Sequence, residues 1–131
     1  MGSINRVILI GRLGRDPDAR TTAGGTQVSN FTLATNLVRN DNGARREITE
    51  WHRVVAFGKL AEQCNHYLCK GRLVCIEGSL QTRSWEKPAG EKHFSTEIIA
   101  ARVTFLDSKA SGSSPQGELI DEGEVETVEG I

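Results

Sequence analysis

Aromatic residues make up only 5% of this 131-residue sequence, so each large ring needs a physical reason for its place. Cysteine is also sparse: Cys64, Cys69 and Cys75 are an odd set without a C-x-x-C pair. That spacing argues against a disulfide framework and against a zinc site completed by His66; we expect small buried side chains and a stray thiol. Long apolar runs are missing, so no membrane span is expected. The N-terminus shows no basic segment followed by a long apolar run, because Asn5 and Arg6 interrupt it. The expectation is therefore a cytoplasmic protein. Catalytic groupings are missing too: there is no Gly-rich phosphate loop, and the three histidines have no Ser or Cys partner at a known spacing. Neither an enzyme nor a bound metal or cofactor is expected.

Charge is unevenly spread. Residues 1–106 hold fifteen of the sixteen Lys and Arg but ten of the seventeen Asp and Glu, an excess of five positive charges. Residues 107–131 hold only Lys109 against seven acidic residues, an excess of six negative charges. A basic body with an acidic tail suits a protein whose body meets a polyanion. The length allows one domain, which we place at 1–106. The Ser/Gly-rich and then Glu-rich stretch 107–131 has too little apolar surface to offset its ordering entropy and reads as a disordered acidic tail.

Within the body, most segments have strand character. Ile4–Leu13 sets Val7, Leu9, Gly11 and Leu13 on one face, and Gln27–Asn36 is rich in Val, Thr and Phe. Asn40-Asp41-Asn42-Gly43 has the turn chemistry for the tip of a hairpin that returns through 48–57. In Leu60–Cys69 the period changes, with Leu60, Ala61, Cys64, Tyr67 and Leu68 at helical spacing before Lys70-Gly71. Arg72–Trp85 and His93–Leu106 are two further strands joined through Lys87–Glu91. Three strands, a helix and two strands is the element order of the OB-fold, a five-stranded Greek-key barrel, although other small barrels with one helix share it.

Strand parity then indicates chemistry. In TEWHRVVAFGK, one face carries Trp51, Arg53, Val55 and Phe57, and the other carries Glu50, His52, Val54 and Ala56. The strand Arg72–Trp85 alternates an apparent core face (Val74, Ile76, Gly78, Leu80, Thr82) with a polar face that ends in Arg83 and Trp85. Rings beside cations are what a single-stranded nucleic acid requires, since its bases present π-faces and its phosphates need positive charge. Trp51, Phe57 and Trp85 are the candidate stacking platforms; Arg53, Lys59, Lys70 and Arg83 are the candidate phosphate ligands. Each has a plainer alternative: a strand Phe beside Val55 also suits a core, and lysines flanking a helix are often merely solvated. For His52, packing or a subunit contact is expected.

The segments NRVILIGRLGRDPDAR (Asn5–Arg20), FTLATN (Phe31–Asn36), TEWHRVVAFGKLAEQ (Thr49–Gln63), YLCKG (Tyr67–Gly71), IEGSLQTRSW (Ile76–Trp85) and STEIIA (Ser95–Ala100) closely resemble the bacterial single-stranded DNA-binding protein family, SSB. The resemblance spans residues 4–106. It implies an OB-fold, a homotetramer, and sequence-tolerant wrapping and protection of single-stranded DNA during replication, recombination and repair, with nucleoid association. It also implies DNA contacts at the positions of Trp51, Phe57, Trp85, Lys59 and Lys70. A subunit interface near His52 is implied as well, with the first strand, through Val7, Leu9 and Leu13, taking part in dimer pairing. Two departures stand out. Family members carry a further tryptophan soon after the LAT run, where this chain reads Asn36-Leu37-Val38-Arg39-Asn40. The family's usual end, several Asp residues and then Ile-Pro-Phe, recruits replication and repair proteins; this sequence ends VETVEGI, acidic but without that proline and phenylalanine.

Overall fold

The computed structural model describes residues 2–107 and 126–129. Five strands close on themselves: β1 (Val7–Leu13) pairs β5 (Leu73–Glu86), β5 pairs β6 (Lys92–Phe105), and β6 pairs β4 (Ala44–Phe57). β4 then pairs β3 (Gln27–Asp41), which returns to β1 through Arg12–Ala34 and Leu13–Leu33. The result is the OB-fold barrel, with one helix, α1 (Gly58–Tyr67), between β4 and β5. A short strand not foreseen from the sequence, β2 (Asp18–Thr21), lies antiparallel on β3 and forms an outer flap.

The barrel closes because alternate residues of each strand bury apolar side chains inward. Phe31 and Leu33, Val54 and Ala56, Val74 and Ile76, and Ile98 and Ala100 form the core with Val103 and Phe105. On β6 the inward parity switches between Ala100 and Val103, because Ala101 is an extra residue opposite the Glu77/Gly78 step of β5. Such a bulge bends the strand and lets a short barrel close. Gly78 is required there by close approach: a Cβ would lie 2.0 Å from the Ile99 carbonyl oxygen. The helix plugs one end with Leu60, Ala61 and Cys64. Burial pushes the Cys64 thiol up to about 12, which leaves it protonated and unreactive.

Two hairpins run beyond the barrel. β3–β4 turns at Asn42-Gly43, both at positive φ (51° and 82°), which matches the right-handed twist of its strands. β5–β6 turns through Lys87–Glu91. Because β5 outruns the barrel, Leu80 and Thr82 do not join the core as their parity suggested, and Leu80 is 47% exposed. In the stretch read as a tail, β7 (Glu126–Glu129) is laid antiparallel on Arg102–Phe105 of β6. Residues 108–125 and 130–131 of the expected tail lie outside the described residues. Asp107 closes the domain: its carboxylate accepts from Leu73 N–H at 3.0 Å and from Arg12 at 3.3 Å.

Candidate nucleic-acid interface

The outward face of β4 presents Trp51, Arg53 and Phe57 in line, all exposed, while Val54 and Ala56 fill the core between them. Cross-strand partners on β3 are small or polar: Ala34 opposite Trp51, Thr32 opposite Arg53, and Val28 opposite Phe57. The rings therefore stand above their surroundings, with Trp51 59% and Phe57 39% exposed. The alternative of a core Phe57 does not hold.

Two grooves flank this line of side chains. The larger, about 680 Å³, joins Arg53 and Phe57 of β4 to Gln81 and Arg83 of β5 and to Glu97 and Ile99 of β6. Its far wall is Arg15, Asp16, Asp18 and Arg20 from β2 and the turn before it. The smaller, about 490 Å³, joins Trp51 to Lys70 across Gly11, Gly14 and Gly71. The edge of the Trp51 ring lies against Gly14, where a Cβ would come within 2.5 Å of ring atom Cζ3. A hydrogen bond at 2.9 Å from the Lys70 N–H to the Asp16 carboxylate ties the two walls together.

Trp85 and Lys59 line neither groove. Trp85 sits on the β5–β6 hairpin opposite His93, with the rings stacked at 5.8 Å and 19° and the Arg83 guanidinium 5.9 Å from the indole centroid. It is 43% exposed, so it still offers area for a base. Lys59 is exposed in the first turn of α1.

His52 points to the opposite side of β4, half-buried, with Nε2 2.9 Å from Thr35 Oγ1. Val7 and Leu9, expected at a subunit contact, pack against this chain's own core instead. The apolar side chains that β1 leaves exposed are Ile8 at 58% and Ile10 at 57%. The parity of β1 is the cause: Leu13 is an inward residue, and Val7 and Leu9 share its face. The reading from sequence missed Arg15, Arg20, Asn30, Gln81 and Glu97, all of which line the larger groove. For Arg15 and Arg20 the only signal was a charged turn around Pro17, which looks like any solvated loop. Among the described residues, no three His, Cys, Asp or Glu side chains gather as a metal site.

The arrangement of rings and cations on a sheet face can hold an extended, unpaired polyanion, with bases against the rings and phosphates against arginine and lysine. Comparison with known proteins agrees. The family model described as "Single-strand binding protein family" matches residues 4–106. The chain is 52% identical over 111 residues to "Single-stranded DNA-binding protein 1" of Chlorobaculum tepidum, covering 83% of this chain and 68% of that protein. It is 44% identical over 119 residues to "Single-stranded DNA-binding protein" of Thermotoga maritima, covering 90% of this chain and 84% of that one. A solved structure described as "Plasmodium falciparum SSB complex with ssDNA" superposes with a TM-score of 0.77 at 37% identity, covering 82% of this chain and 98% of the other.

Proposed function

The chain belongs to the single-strand binding protein family, and from that premise we propose how its surface carries out the family's task. It is a non-enzymatic protein that binds single-stranded DNA, and in that capacity serves replication, recombination and repair. Trp51, Phe57 and Trp85 stack bases; Arg53, Lys59, Lys70 and Arg83 neutralise phosphates. One observation carries this assignment: Trp51, Arg53 and Phe57 stand exposed along one strand face, at the rims of two adjoining grooves that also hold Lys70 and Arg83. Stacking recognises any base, and counterion release rewards any phosphate, so binding tolerates sequence.

Self-association follows from β1. From Val7 to Gly11 the strand has β5 on one side, while its pairing with β3 is confined to Arg12 and Leu13. An open strand edge beside exposed Ile8 and Ile10 is a template for pairing with a second copy. Ile8 and Ile10 replace Val7 and Leu9 in this reading, and the assembly is a homotetramer. Among the described residues no helix is long and apolar enough to cross a membrane. The proposed setting is the cytoplasm, on single-stranded DNA exposed at the nucleoid.

Titration with oligo(dT) at low salt tests the assignment. Both tryptophans of the chain are proposed stacking platforms, so their emission should be strongly quenched. The logarithm of the affinity should fall against log salt with a slope of about −0.7 per phosphate neutralised. Unchanged emission at saturation would show that the rings do not stack on bases.

A further inference from the structure

A wall that meets phosphates should be cationic, yet the far wall of the larger groove sets two carboxylates, Asp16 and Asp18, among its arginines. Asp18 is matched locally, by an ion pair from Arg20 Nε at 3.1 Å. Asp16 has a distant partner: its Oδ1 accepts the Lys70 N–H at 2.9 Å, across 54 residues of chain. Lys70 and Gly71 are the corners of a turn that the Arg72 N–H closes onto the Cys69 carbonyl at 3.1 Å. Gly71 sits at φ 86°, which suits the second corner of a type II turn. That corner is held by β1, since the Gly71 N–H donates to the Leu13 carbonyl at 2.9 Å and Arg12 donates to the Gly71 carbonyl at 2.8 Å. The other corner, which bears the Lys70 side chain, is held by Asp16.

The place of this bond matters because of what lies on either side. Lys70 lines the smaller groove with Trp51, whereas Asp16 lines the larger one with Arg15, Arg53 and Arg83. The Asp16–Lys70 bond therefore bridges the two grooves, and a strand that runs from one to the other crosses it. A carboxylate there repels phosphate, and water and salt weaken that repulsion without abolishing it at short range. Asp16 thus opposes binding through its charge and favours it through its acceptor oxygen. The two effects are separable, because asparagine keeps a side-chain acceptor and carries no charge.

We propose that Asp16 is a positioning residue for DNA binding: by holding the Lys70 corner against the turn after β1, it keeps the Lys70 ammonium in line with Trp51 where a strand passes between the grooves. The proposal rests on the reading of this face as the DNA-binding surface. Asp16 acts through Lys70 and needs no contact with DNA of its own. Without its acceptor the turn keeps its Gly71 anchors, so the fold persists, while the Lys70 corner moves freely and its ammonium loses its phosphate.

The experiment measures oligo(dT) affinity of the full chain over a series of salt concentrations, for Asp16→Asn, Asp16→Ala, and each of these combined with Lys70→Ala. Asp16→Asn should bind more tightly than the wild type, because the acceptor stays and the repulsion is gone. Asp16→Ala should bind about fivefold more weakly than Asp16→Asn, the scale of one hydrogen bond. Its slope of log affinity against log salt should be shallower by up to about 0.7, the share of one phosphate. With Lys70→Ala, which keeps the backbone N–H and removes the ammonium, the alanine and asparagine variants should bind alike. Equal binding by those two variants while Lys70 is present overturns the proposal. So does a difference that persists with Lys70→Ala, since that marks Asp16 as a support of the fold only. If Asp16→Ala fails to fold, Asp16→Glu takes its place, with the charge kept and the carboxylate carried one methylene further. It should bind more weakly than the wild type only while Lys70 is present, and binding equal to the wild type would sink the idea. A wild-type protein that binds no oligo(dT) at low salt would instead refute the DNA-binding surface itself, and the role of Asp16 with it.

Discussion

Trp51 is usable as a platform because of a residue that contributes no side chain. Gly14 leaves the space that the edge of the indole occupies beside the turn after β1, and any Cβ there would strike ring atom Cζ3 at 2.5 Å. Gly14→Ala should therefore tilt or lift Trp51 without touching the other site residues. We expect a shifted tryptophan emission in the free protein and weaker oligo(dT) binding. The loss is bounded by one stacking interaction, about 1–3 kcal/mol. Gly24→Ala, where nothing lies within 4 Å, is the control and should bind as the wild type does. Equal behaviour of the two variants would show that Trp51 does not depend on Gly14.

At the scale of elements, the β5–β6 side of the proposed binding face takes its form from the irregularity at Glu77/Gly78. The extra residue reverses the parity of β6. Val103 and Phe105 point into the core on one side of it, and Ile98 and Ala100 do so on the other, which leaves Glu97 and Ile99 facing the groove. Gly78 permits the closeness of the two strands there. Gly78→Ala would bring a Cβ to 2.0 Å from a backbone carbonyl oxygen, an obstacle that cannot rotate away. We expect a destabilisation of about 1–3 kcal/mol, read as a lower denaturant midpoint. DNA affinity should fall as well, since Arg83 sits beyond the disturbed step. An unchanged midpoint would mean that the strands separate there at no cost.

For the whole molecule, the edge of β1 that faces away from β5 between Val7 and Gly11 is the feature that a single barrel leaves unresolved. Its isoleucines are exposed in the isolated chain, so changing them should not unfold a subunit. Ile10→Asp is expected to lower the mass measured by light scattering while circular dichroism stays that of the wild type. It should also weaken binding to long strands more than to short ones, because in the proposed assembly a long strand engages several subunits at once. A mass identical to the wild type's would move the interface elsewhere on the barrel.

Local pattern was enough to indicate much of this protein. Alternation in TEWHRVVAFGK separated Trp51, Arg53 and Phe57 from Val54 and Ala56, because strand geometry forces successive side chains to opposite faces. Asn42-Gly43 marked a hairpin tip for a similarly local reason: only certain residues accept positive φ at both positions. Resemblance over residues 4–106 identified the family. What alternation could not supply is where a strand leaves the core or changes its parity. Leu80 keeps the correct face yet lies exposed, because β5 runs past the end of the barrel. Val7 and Leu9 look available for a partner until closure of the barrel shows that their face is the inner one. Glu97 is one acidic residue among many in the sequence, and only the folding of β4, β5 and β6 against one another sets it between Arg53 and Arg83. Parity within a strand is settled by neighbouring bonds; the company a side chain keeps is settled by strands distant in the chain, and for that the barrel had to close.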